Sequence, residues 1–316
     1  MSVAPASPHV LIPDAVLALP AGAAQPPWPE LPTLRALVGH LRPSATLALD
    51  DDSPATPFEV ALARAHGLPD EPGRTPWAAF AAGVAGTPCA WLQPCHWQMG
   101  MNDVSVLHPG ELGLDEHASR ALLASVEPLL RDDGLTLRYL RPDAWLVQGE
   151  LLRGLSCCSL RRALARPVTR EQLAQAPTDA QGRALRRLQS ELQMLLYTHP
   201  VNDAREHERR WPVNALWIGG AGELPRVVAP RPGVQVCTEL LDLPAQLGLH
   251  DWQRAWRAIE TNALAPLLQA VRGGAQAQLT LCGPRRALTL STDPGLPHKI
   301  MSKIRPLRLS SLREQL

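Results

Sequence analysis

The residues best suited to chemistry gather in one stretch, 188–222, LQSELQMLLYTHPVNDAREHERRWPVNALWIGGAG. His199, Asn202 and Arg205 follow one another at intervals of three across the end of an amphipathic helix, and Asn214 enters the short apolar strand beyond it. In a binding reading, the guanidinium of Arg205 holds a phosphate or carboxylate while His199 and Asn202 add hydrogen bonds. In a structural reading, His199 and Asn202 satisfy the last carbonyls of the helix and Arg205 pairs with Glu206 or Glu208. Asn214, at a strand entrance, suits a structural hydrogen bond better than a ligand. Gly220 and Gly222 sit in the run Gly219-Gly220-Ala221-Gly222, whose backbone amides could face an anion. No GxGxxG or GxxxxGK[ST] pattern surrounds that run and no helix obviously begins after it, so a tight turn at a sheet edge is the simpler expectation.

Other chemically suggestive residues are weaker. His96 stands near Cys89 and Cys95, but strand alternation puts Cys95 and Trp97 on one face and His96 on the other. The six cysteines form no CxxC pair, and the adjacent Cys157 and Cys158 suit neither a disulfide framework nor a zinc site. Asp50–Asp52 is either a metal-binding acidic loop or a solvated tip. Trp252 and Trp256 lie one helical turn apart, as core packing requires. The basic tail around residues 298–313, HKIMSKIRPLRLSSLR, interleaves apolar residues that favour docking as an edge element over contact with nucleic acid.

The elements that must position these residues follow from periodicity and punctuation. HVLIP at 9–13 reads as a first strand or a buried turn, a helix follows around Leu34–Leu41, and residues 43–57 read as turn-rich. A second helix over 56–66 has Thr56 as N-cap, Pro57 at its first position and Gly67 as terminator. Residues 88–150 read as two strands, a helix over 115–130, and two more strands. Residues 160–180 read as a crossing loop, 179–199 as a helix stopped by Pro200, and 251–272 as a helix. AQLTLCG and RALTLST read as a hairpin, and PRVVAPRPGVQVC as a further strand.

A net charge of +1 argues against a global field for nucleic acid or an anionic membrane. The amino terminus has no basic n-region and its apolar run is broken by Pro13 and Asp14, so it reads as neither signal peptide nor span. A cytoplasmic protein is the expectation.

The block CAWLQPCHWQMGMNDVSVLHPGELGL, the helix ending in HPVN, the trailing Arg205 and the segment PVNALWIGGAG resemble a bacterial family labelled RpfE-type regulatory proteins, or cofactor-independent phosphoglycerate mutase-like proteins. Over residues 88–225 the chain is more distantly similar to the archaeal-type cofactor-independent phosphoglycerate mutases. That resemblance implies an α/β fold, an alkaline-phosphatase-like sheet flanked by helices. Residues 1–85 and 161–316 would form the main domain, and 86–160 a smaller inserted α+β domain. The mutases use a nucleophilic serine beside two divalent metals, which activate the serine and neutralise the transferring phosphoryl group. Here the first apolar run ends at Pro13-Asp14-Ala15 without a glycine-containing ligand turn, and no Asp-His dipeptide occurs. His250-Asp251 is reversed and begins a helix. The expectation is therefore a scaffold without catalysis and without a cofactor, binding a regulatory protein or a phosphorylated or carboxylate metabolite. The alternatives are an active mutase or phosphatase using a divalent metal such as manganese, and a nucleic-acid-associated protein using the tail.

Overall fold

A computed structural model describes residues 7–17, 26–169, 180–241, 249–292 and 309–316. The chain opens with β1 (His9–Ile12), α1 (Pro32–His40), β2 (Arg42–Ala48), α2 (Pro57–His66) and α3 (Trp77–Ala82). There follow β3 (Cys89–Cys95), β4 (Trp97–Met99), β5 (Asp103–Val106), α4 (Pro109–Leu112), α5 (Glu116–Asp132), β6 (Thr136–Arg141) and β7 (Ala144–Gln148). Next come α6 (Leu160–Ala165), β8 (Val168–Thr169), α7 (Ala180–Tyr197), α8 (Pro200–His207), β9 (Ala215–Gly222) and β10 (Val234–Val236). The last elements are α9 (Leu249–Ile259), a π-turn (Glu260–Leu264), α10 (Ala265–Arg272), β11 (Gln278–Cys282), β12 (Arg286–Ser291) and α11 (Leu309–Gln315).

Two compact units result: one from residues 1–51, 56–67 and 230–316, the other from 52–55 and 68–229. The first is a mixed sheet in the order β10-β1-β11-β12-β2, with β1 parallel to both β10 and β11 and the β11–β12–β2 pairs antiparallel. On one face Val10, Ile12, Leu279, Leu281 and Leu290 pack against α1, α9 and α10, where Trp252 and Trp256 are buried. On the other, Leu11, Cys282 and Ala287 pack against Phe58, Ala61 and Ala65 of α2. The layout is mixed α/β, a central sheet flanked by helices.

α2 forms where its local signals place it. Thr56 Oγ1 accepts the Glu59 amide while the Glu59 carboxylate accepts the Thr56 amide at 2.8 Å, a complete capping box. Gly67, at φ 72°, ends it. α1 has no such cap of its own. Instead the carboxylate of Glu260, in the π-turn, accepts the amides of Thr33 and Leu34 from across the unit.

The second unit is built on an antiparallel sheet, β6-β7-β3-β9, with α5 and α7 packed on Leu92, Trp145, Val147 and Leu216. Its other face carries Cys95, Ala215 and Trp217, packed with Cys158 and Leu160. A small sheet, β4-β5-β8, completes it.

Several expectations change. Residues 42–48, read as turn-rich, form the edge strand β2 because β12 pairs with them; Pro43 is tolerated at an edge. The expected boundary at 160 is narrower than the second unit, since β9 pairs with β3 and so residues up to 229 belong with that sheet. The crossing loop at 160–180 contains α6 and β8 in its described part. The long helix at 251–272 is interrupted by the π-turn. Pro200 stops α7 but also starts α8, where its missing N–H costs nothing. Of the basic tail, residues 298–308 lie outside the described residues; α11 follows them, with Leu312 fully buried among α1, α9 and α10 residues.

Candidate functional site

His199, Asn202, Arg205 and Asn214 meet at one corner and hydrogen-bond chiefly to the backbone, with Arg205 Nη1 left buried without a partner, whereas Gly220 and Gly222 lie at the far end of β9. His199 is the N-cap of α8, its Nδ1 accepting the Val201 amide at 3.1 Å. Burial lowers its pKa, opposed by Asp203. Asn202 is 3% exposed, and its Nδ2 donates to the carbonyls of Leu196 (2.7 Å) and Val213 (2.8 Å). Its Oδ1 accepts the Val213 amide at 2.8 Å. Arg205, also 3% exposed, donates from Nε to the Trp211 carbonyl at 2.8 Å and from Nη2 to the Leu112 carbonyl. It thus binds two backbone loops rather than Glu206 or Glu208, and burial, with Arg210 nearby, lowers its pKa.

Asn214 bridges to β4, accepting the Trp97 amide at 2.7 Å and donating to the Trp97 carbonyl at 3.0 Å. The glycine run is part of β9 rather than a turn. Gly220 has φ +60°, and a Cβ there would lie 2.9 Å from Trp91 Cε3; at Gly222 it would lie 2.8 Å from Pro76 Cβ. These glycines let aromatic and proline side chains close on the edge strand, which leaves their Cα faces covered.

His96 falls between β3 and β4, stacks on Trp211 with ring centroids 4.9 Å apart and hydrogen-bonds the Pro212 carbonyl through Nδ1 at 2.8 Å. Cys95 and Trp97 share a cluster on the opposite side, as alternation requires. Asp51 pairs with Arg285. Burial pushes the Cys95 and Cys157 thiols up to about 12, which suppresses the thiolate. All six cysteines are buried and none forms a disulfide. Among the described residues no three His, Cys, Asp or Glu side chains stand together as metal ligands.

An open site lies elsewhere, in the first unit. A cleft of about 690 Å³ opens between α2, which contributes Ala61, Arg64 and Ala65, and the sheet beside the first residue of β1. Its sheet wall carries His9, Gln278 and Thr289, and the buried Thr280 links His9 to Thr289. His9 Nε2 shares a hydrogen bond with Thr280 Oγ1 (2.8 Å), and Thr280 Oγ1 with Thr289 Oγ1 (2.9 Å). The register pairs Thr280 directly with Thr289, so this chain of hydroxyls follows from strand pairing. Arg64 of α2 and Arg231, from the loop before β10, stand at the rim. The Arg231 amide donates to His66 Nδ1 at 3.1 Å, tying that loop to the end of α2. Burial, then His66 and Arg231, depress the His9 pKa to about 4.

No carboxylate lines the cleft. The carboxyl end of α2 disfavours an anion by ~0.3–1 kcal/mol, an effect confined to the last turn and softened by the Gly67 amide, which donates to the Ala63 and Arg64 carbonyls. Two guanidiniums outweigh it. The sequence does not display this set because its members come from five segments, with His9 and Thr280 alone 271 residues apart. The available signal was a polar residue on the inward face of each strand: His9 in HVLI, Thr280 in QLTLC, Thr289 in RALTLS.

Fold and cleft together define a mixed α/β protein whose first unit carries a cleft bordered by two arginines. No family model and no curated protein matches the chain. Among solved structures, it is similar to a cofactor-independent phosphoglycerate mutase from Thermoplasma acidophilum, at 15% identity over 96% of both chains with a TM-score of 0.35. It is also similar to the PH0037 protein from Pyrococcus horikoshii, at 13% identity over 91% of this chain and 88% of that one, with a TM-score of 0.43. Likeness at this level says nothing of activity. Among the described residues, no helix is long and apolar enough to cross a membrane.

Proposed function

We propose that this chain is a non-catalytic relative of the cofactor-independent phosphoglycerate mutases that binds a small anionic metabolite, phosphorylated or carboxylate, in the cleft of its first unit and serves a regulatory role in the cytoplasm. The second unit would be the inserted α+β domain of that scaffold. The observation that carries the reading is the donor set of the cleft: guanidinium, imidazole and hydroxyl groups with no carboxylate among them. Such a set attracts anions, whereas metal-assisted phosphoryl transfer needs carboxylate and imidazole ligands converging on the metals. The sequence blocks at 88–225 support the scaffold assignment. The six cysteines, none in a disulfide, accord with a reducing compartment.

The test combines binding and turnover. Titrating isotopically labelled protein with small anions should shift the amide resonances of His9, Thr280 and Thr289. A phosphoglycerate mutase assay with added manganese should show no turnover. Chelator-sensitive turnover, or anion-induced shifts confined to residues outside the cleft, would overturn the proposal.

A further inference from the structure

We infer that the cleft of the first unit takes an aliphatic carboxylate of medium chain length, its head on Arg231 and its tail laid across the sheet beneath α2. The inference rests on the reading of that cleft as an anion site and narrows the ligand to one chemistry. The first observation is shape. Every strand of the sheet puts a side chain into the lining: Val234 from β10, His9 from β1, Gln278 from β11, Thr289 from β12 and Ala45 from β2. Strand pairing sets them on one face, since His9 pairs with both Val234 and Gln278, and Thr289 pairs with Ala45. β10 and β2 are the two edges, so the cleft runs the full width of the sheet. Five strands are separated by four spacings, which makes that width about 19 Å. A volume of about 690 Å³ spread over such a length is a trough for a chain, not a socket for a compact group.

The second observation is the change of chemistry along the trough. The β10 end is polar: the Arg231 guanidinium stands beside Gly67, and Ser7, His9 and Gln278 line the cleft there. One guanidinium fork matches the two oxygens of one carboxylate, and no carboxylate in the lining competes for it. Toward β2 the walls turn apolar, with Ala61 and Ala65 of α2 against Ala287 and Leu47 of the sheet. The hydroxyls between the two ends ask nothing of a ligand. Thr289 Oγ1 is bonded to the buried Thr280 at 2.9 Å, and Ser44 Oγ donates to the Thr289 carbonyl at 3.1 Å. An alkyl chain lies over them without stranding a polar group, whereas a polyol or a peptide would find its partners already engaged.

Butanoate, octanoate and 1-octanol serve as probes in calorimetric titrations, with amide resonances recorded alongside. Octanoate is expected to bind at least ~10-fold more tightly than butanoate, since complete burial of each methylene is worth roughly 4-fold. It should also bind at least ~10-fold more tightly than 1-octanol, which has the tail without the charge. Butanoate should shift resonances only around Arg231 and His9, and octanoate should extend the shifts to Ala45 and Leu47. Arg231→Ala, at an exposed position, should weaken octanoate to the level of 1-octanol and leave the melting temperature unchanged. Ala45→Phe, also at an exposed position, should crowd the tail end, cutting the advantage of octanoate and leaving butanoate unaffected. Butanoate binding as tightly as octanoate would overturn the chain ligand and leave an anion cleft standing. 1-Octanol binding as tightly as octanoate would overturn the carboxylate head and the anion reading with it. If neither carboxylate shifts a cleft resonance the inference falls, and a titration with inorganic phosphate then shows whether the anion reading falls too.

Discussion

Replacing Asn202 with alanine removes three hydrogen bonds at 2.7–2.8 Å and strands two backbone groups, the carbonyl and the amide of Val213, while the Leu196 carbonyl keeps the His199 amide at 3.2 Å. Each buried orphan costs roughly 1–3 kcal/mol, and water entering the vacated volume recovers part of it, so the net loss should be about 3–5 kcal/mol. Urea denaturation followed by circular dichroism measures it. Hydrogen exchange at the Val213 amide locates it, because that amide loses its acceptor. Asn202→Asp adds a sign: the carboxylate keeps an acceptor for Val213 but faces two carbonyls. Its folded-state pKa is therefore raised, the folded protein binds more protons than the unfolded one, and the variant regains stability as pH falls. A loss in the alanine variant below about 1 kcal/mol with Val213 still protected would refute the structural account. Unchanged stability with lost ligand affinity would make the corner a binding site after all.

Three further outcomes follow from the geometry. Glu260→Ala deprives α1 of its borrowed N-terminal cap and should lower stability by ~0.5–2 kcal/mol in thermal melts; an unchanged melting temperature would show that the amides of Thr33 and Leu34 gain nothing from it. Gly220→Ala must hold an L-residue at φ +60° and place a Cβ against Trp91, so a loss of at least ~2 kcal/mol is expected, and a neutral result would mean that β9 shifts freely on β3. His9, depressed to about 4 from 6.5, is neutral in the fold where the unfolded chain is protonated. Its contribution is present above pH 6.5 and is lost as pH falls toward 4, and His9→Asn should flatten the urea midpoint across that window. Parallel pH profiles for the two proteins would contradict the burial of His9.

How much could be read without the fold differs element by element. α2 was legible because every signal it needs lies within twelve residues: Thr56, Pro57, Glu59 and Gly67. The β11–β12 hairpin was legible from alternation, and Trp252 and Trp256 from helical spacing, which the buried face of α9 bears out. β2 was not, since RPSATLA has weak strand character and becomes a strand only through pairing with β12. HPVN was ambiguous in kind: a proline that ends one helix and begins the next looks the same in sequence as one that simply ends it.

Caps and periodicity act over a few residues, so the local helices, the hairpin and the nearness of His199, Asn202, Arg205 and Asn214 are written in the chain. What those groups do depends on long-range packing. A buried backbone carbonyl or amide must be satisfied, and Leu196, Leu112, Trp211 and Val213 claim these side chains because the fold removes that part of the backbone from water. The cleft belongs wholly to that second level. His9, Thr280 and Thr289 meet only when β1, β11 and β12 pair in their observed register, and the cleft forms only where α2 is laid over those strands.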